Sequence, residues 1–136
     1  MCIAESSDGI NFTTRGTALA FTPAETLTDP SLLALSDGSW LMAISAGQNT
    51  LIARSADGLT FTREATFSFG GVPELSRASE GAVRLYVCRG GITAYRSTDA
   101  GRSWSLERTV VNPPVNGHPI VCDPSLVAGT NLFVFK

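Results

Sequence analysis

The stretch Ser55-Ala56-Asp57-Gly58-Leu59-Thr60-Phe61 constrains this chain more than any other, because it occurs three times. It reads Ser6-Ser7-Asp8-Gly9-Ile10-Asn11-Phe12 near the start and, one residue longer, Ser97-Thr98-Asp99-Ala100-Gly101-Arg102-Ser103-Trp104 further on. Repetition at a roughly fixed period points to a fold built by stacking one small unit. Strand-like runs flank each copy, such as Thr50–Arg54 before the second and Phe61–Glu64 after it. Asp-Gly between two such runs predicts a hairpin, since glycine adopts the positive φ that tight turns require. The aspartate can accept hydrogen bonds from amides inside the turn, and the serine hydroxyl can do so more weakly. The closing aromatic (Phe12, Phe61 or Trp104) is large enough to anchor the turn against neighbouring structure.

A second kind of hairpin lies between the copies. Asp29-Pro30-Ser31-Leu32-Leu33-Ala34-Leu35 leads through Ser36–Ser39 into the run Trp40–Ile44. The pattern returns as Pro73–Ala78, Glu80-Gly81 and Val83–Cys88, and again as Asp123–Ala128, Gly129–Asn131 and Leu132–Lys136. Each unit therefore holds four short strands, A to D, with a period in the forties. That combination predicts an all-β fold, a β-propeller of four-stranded antiparallel blades.

The pattern Ser-x-Asp-(x)-Gly-x-x-aromatic resembles the Asp box, or BNR repeat, of sialidases and related β-propellers. In that family the box turns the chain between the third and fourth strands of a blade, away from the active site. The resemblance implies that Asp8, Asp57 and Asp99 are structural rather than catalytic or metal-binding.

The order of the units carries a further expectation. Residues 2–22 supply the C and D strands of one blade, 29–67 and 72–111 are full blades, and 123–136 supply A and B strands. That is three blades' worth, whereas propellers close with about four to eight. Half-blades leave unpaired strand edges that invite another chain. The expected assembly is a strand-exchanged C2 homodimer closing a six-bladed ring. The rival reading is a piece of a longer propeller.

Composition narrows the function classes. Charged residues make up 16% and apolar residues 43%, which fits a globular chain without a disorder signature. A net charge of −2 gives neither a nucleic-acid footprint nor a polybasic membrane patch. No run reaches the roughly 20 apolar residues that span a bilayer, and Met1–Glu5 does not read as a signal peptide. Cys2, Cys88 and Cys122 are odd in number and lack metal-like spacing. They are read as three reduced thiols in a cytoplasmic protein, with one disulfide plus a free thiol as the alternative. A removed leader would instead make the protein secreted. Neither a metal nor a cofactor is expected.

Ligands of propellers meet the channel mouth where A strands begin, so the candidate residues lie there. Asp29 and Asp123 both precede Pro-Ser-Leu. This pattern resembles the A strand of five-bladed arabinanase- and fructosidase-type glycosidases, where such an aspartate serves as a catalytic carboxylate. Asp before Pro is equally a common turn starter. The middle unit departs from the pattern with Val72-Pro73-Glu74. Glu74, Arg77 on the same strand and the lone His118 complete the candidate ligand-binding set. A sialidase also needs an arginine cluster and a tyrosine nucleophile, and the full set is not recognisable. Tyr86, Tyr95, Trp40 and Trp104 stand at packing positions. The reading is a sialidase-like propeller that binds a small polar ligand, carbohydrate in class, at the channel mouth. The alternatives are a glycoside hydrolase with carboxylates assembled across a dimer, and a non-catalytic scaffold.

Overall fold

The computed structural model describes residues 1–127 and 129–136. It contains twelve strands in four antiparallel sheets. β1 (Cys2–Glu5) pairs with β2 (Thr13–Thr17). β3 (Thr28–Ala34), β4 (Trp40–Ala46), β5 (Asn49–Ser55) and β6 (Thr62–Phe67) form a four-stranded sheet in chain order. β7 (Gly71–Arg77), β8 (Val83–Cys88), β9 (Ile92–Ser97) and β10 (Ser105–Val111) form a second. β11 (Ser125–Leu126) pairs with β12 (Phe133–Val134). Among the described residues each sheet is open, and none closes into a barrel. No helix among them is long and apolar enough to cross a membrane.

The sheets stack in chain order through three apolar layers, and strand alternation assigns each side chain to its layer. On β4, Met42 and Ile44 face β1–β2 together with Leu51, Ala53 and Phe61, while Ala18 and Leu19 meet them from the other side. Leu41, Ala43 and Ile52 face the opposite way and meet Leu75, Val83, Leu85, Val87 and Tyr95 of the second sheet. The far face of that sheet offers Tyr86, Ile92 and Ala94 to Val121, Phe133 and Phe135. Both faces of β4, β5, β8 and β9 are thus covered. Their apolar runs are nearly continuous for that reason, as expected of strands buried on two sides. Between sheets, β7 packs against β3, β4 and β5, and β11 touches β7.

The three repeated stretches fold into one turn. In the second, Ser55 Oγ donates to Asp57 Oδ1 at 2.7 Å and accepts from Gly58 N at 2.9 Å. Asp57 Oδ1 also accepts from Leu59 N at 2.8 Å and Thr60 N at 3.0 Å. The first copy repeats this around Asp8 with the amides of Ile10 and Asn11, and the third around Asp99 with those of Arg102 and Ser103. Donors crowding a carboxylate favour its ionised form. Thr60 and Leu59 amides hold Asp57 at about 2. The Asn11 and Ile10 amides lower Asp8, and the Ser103 hydroxyl and amide lower Asp99, both below the ordinary carboxylate range. The closing aromatics differ in environment: Phe61 is buried and Trp104 packs on a core layer, but Phe12 is 63% exposed.

Three expectations change at this level. Cys88 and Cys122 form a disulfide with Cα atoms 5.2 Å apart, so the thiols are not all reduced; Cys2 is free and exposed. The reason is the stacking. Cys88 ends β8, and the chain entering the next sheet passes beside it, with Cys88 Sγ 3.5 Å from Val121 O. Next, Asp29-Pro30 does not precede its strand as a turn but lies inside β3. The pairing with β4 slips between Thr28 and Ser31, so the proline falls where no ladder bond is needed. Finally, β11 spans only Ser125–Leu126, shorter than the expected strand from Asp123 to Ala128; Ala128 lies outside the described residues.

Candidate functional site

The first strands of three sheets, β3, β7 and β11, begin alike. The residue before each proline, Asp29, Val72 or Asp123, adopts φ of 51°, 47° or 48°. Left-handed backbone is tolerable for aspartate but is an outlier for a β-branched valine. Strain of this kind clusters at functional sites and persists only where surrounding structure imposes it. At β7 the same slip as in β3 occurs, between Gly71 and Glu74. The bulges place Ser31 and Glu74 at matching positions, which turn toward each other across the junction of the two sheets.

Glu74 joins the three strands. Ser31 Oγ donates to Glu74 Oε2 at 2.9 Å and accepts from Leu75 N at 2.9 Å. Leu126 N, on β11, donates to Glu74 Oε1 over 3.4 Å. The carboxylate is half-buried and meets no cation within salt-bridge range among the described residues. It lines a cleft of about 520 Å³ with Leu32, Leu33, Ser76, Arg77, Leu126 and Thr130. Ser76 is only 7% exposed, and its Oγ has no hydrogen-bond partner among the described residues. An orphaned hydroxyl of this kind calls for a physical explanation, and a bound polar group is one. Arg77 lies on the same cleft, anchored by Nη2 donating to Ala34 O at 2.6 Å, and pairs with no carboxylate among the described residues. Sequence reasoning found Glu74 and Arg77 but missed Ser31 and Ser76. The position of Ser31 two residues after Asp29, matching Glu74 two after Val72, was the available signal.

The two aspartates sit at the strand entrances instead. Asp123 Oδ2 is 2.5 Å from Lys136 Nζ. That contact, with the charge of Asp29 adding to it, raises the lysine above its ordinary value. Asp29 is exposed and accepts from Thr28 Oγ1 at 2.7 Å. His118 closes the two-residue turn Val115–His118, made by left-handed Asn116 and Gly117. It shares a separate hollow of about 380 Å³ with Val121, Phe135 and Lys136. Thus Glu74 and Arg77 share one cleft, Asp29 and Asp123 share the field of Lys136, and His118 adjoins the latter group. Among the described residues, no cluster of His, Cys, Asp or Glu is arranged to hold a metal ion. Tyr86 and Tyr95 are buried in core layers, and Arg84 is tied to Glu107 at 2.6 Å.

No protein-family model matches this chain, and no curated protein matches it. The chemistry of the cleft therefore bears the functional argument alone.

Proposed function

We propose that the stacked sheets are an arc of a sialidase-like β-propeller whose innermost strands bind a small polar ligand, carbohydrate in class. The observation that carries this reading is the cleft beside Glu74. A carboxylate without a cation and a buried hydroxyl without a partner suit the hydroxyl groups of a sugar. The aliphatic walls of Leu32, Leu33 and Leu126 suit the C–H face of its ring. The Cys88–Cys122 bond fits an oxidising compartment, where such bonds persist.

Calorimetric titration with a panel of neutral mono- and oligosaccharides tests the reading. At least one sugar should bind saturably, and Glu74→Gln and Ser76→Ala should each weaken it about tenfold. Absence of binding across the panel, or binding indifferent to both substitutions, would overturn it.

The glycoside hydrolase reading rests on a different observation, the pairing of Asp123 with Lys136 beside Asp29. A hydrolase of this class needs two carboxylates in distinct roles, and Asp29 and Asp123 are the pair that faces Lys136. Release of aryl alcohol from aryl glycosides, abolished by Asp29→Asn and Asp123→Asn, would establish it. With neither binding nor turnover, the scaffold reading is left.

A further inference from the structure

We propose that Asn11 is a modification site, an acceptor for N-linked glycosylation that takes an oligosaccharide from a lipid-pyrophosphate donor. The proposal is independent of the ligand reading above.

The sequence supplies the motif. Asn11-Phe12-Thr13 has the form Asn-x-Thr, with a residue other than proline in the middle, that marks an asparagine for this transfer. Asn49, Asn112, Asn116 and Asn131 are not followed two residues on by serine or threonine.

The fold sets the motif on the surface. Asn11 lies in the turn between β1 and β2, where residues 7–17 are all exposed. The two other copies of the turn show that this exposure does not depend on what adjoins the half-sheet. Asn11 stands where Thr60 and Ser103 stand, and Thr13 where Thr62 and Ser105 stand. All four of those residues are exposed, although both full sheets pack against neighbours. The aromatic between them, Phe61 or Trp104, packs on a core layer instead. Extended backbone sends alternate side chains to opposite sides, so the two residues that the transfer requires face solvent together.

The folded turn can carry the sugar. An asparagine amide has two N–H donors, and Asn11 Nδ2 donates to Asp8 Oδ2 at 2.7 Å. In the transfer a bond forms between Asn11 Nδ2 and the anomeric carbon, and the bond from that carbon to the pyrophosphate oxygen breaks. The amide gives up one proton, and the lipid pyrophosphate leaves. The product keeps one N–H, which is enough to serve Asp8. The remaining bonds to Asp8 come from the Ser6 hydroxyl and the amides of Ile10 and Asn11, and none uses the side-chain nitrogen. None of the residues lining the Glu74 cleft lies on β1 or β2, so a glycan at this turn leaves the cleft open.

The covalent structure points to the same route. The Cys88–Cys122 bond belongs to an oxidising compartment, and glycosylation of this motif belongs to surface loops of secreted chains.

Secretion of the 136-residue chain behind a leader peptide, from cells that carry out N-linked glycosylation, tests the proposal. The chain, read in medium and in lysate alike, should run as a heavier species that peptide N-glycosidase returns to the bare mass. Digestion in heavy-oxygen water should leave the label on residue 11 alone. Asn11→Ser keeps a side-chain donor for Asp8, as Ser103 provides for Asp99, and should abolish the shift. Thr13→Ala should abolish it too, whereas Thr13→Ser should retain it. Circular dichroism of the variants should report an unchanged fold. A chain with the Cys88–Cys122 bond formed and no glycan would overturn the proposal. So would a shift that survives Asn11→Ser or Thr13→Ala.

Discussion

At Gly101 there is no room for a methyl group. A Cβ built there would lie 2.6 Å from Leu41 Cδ2, across the junction between the two full sheets, and the backbone has φ of 86°. At Gly9, the matching residue of the first turn, φ is 74° but the space is open. Gly101→Ala should therefore cost about 2–4 kcal/mol, from strain plus overpacking, and Gly9→Ala about 1 kcal/mol, from strain alone. Urea unfolding of the two variants checks the difference. The turn aspartates set a second expectation. Asp8, Asp57 and Asp99 are depressed in the folded state, so the unfolded chain binds more protons at acid pH. Their stabilisation is complete above the ordinary aspartate range near 4 and is lost as pH falls toward 2, where Asp57 titrates. The urea midpoint should drop across that window, and Asp57→Asn should make the drop shallower. These turns were legible in the sequence because their chemistry is local: Ser, Asp and Gly bond to atoms within four residues. The left-handed Val72 was not, since valine carries no turn signal and its conformation is imposed by the sheet around it.

The disulfide shows how elements constrain each other. Cys88 and Cys122 are 34 residues apart, and their meeting depends on one sheet lying against the next. No spacing rule encodes that, so a reading of three reduced thiols was the natural outcome of counting cysteines. The equivalent junction, between the two full sheets, brings Gly71 against Ser45, where a Cβ would be 2.8 Å from Ser45 Oγ. Gly71 pairs with Cys88 as Thr28 pairs with Ser45, so the disulfide makes covalent a contact that the other junction makes by packing. Reduction, or Cys88→Ser with Cys122→Ser, should lower stability by up to about 4 kcal/mol on a chain-entropy account of a loop this long. Thermal unfolding with and without reductant measures it. Strand identity in β4, β5, β8 and β9 was readable from short apolar runs bounded by turn residues. The Ser31–Glu74 bond was not, because its partners are 43 residues apart and meet only when β3 and β7 adjoin.

Among the described residues the sheets form a row in which apolar layers join each to the next. Arg54 Nη2, reaching from β5 to Ala100 O at 2.8 Å, ties the two full sheets across their junction. Such a row has no single centre whose loss dissolves everything at once. Opening should start at the flanks, where Thr13–Thr17 is exposed throughout and Phe133–Val134 only half-covered, and travel inward. Amide hydrogen exchange should then show protection rising from both termini toward β4, β5, β8 and β9. The exchange pattern would then register, strand by strand, how much of each flank is kept from water.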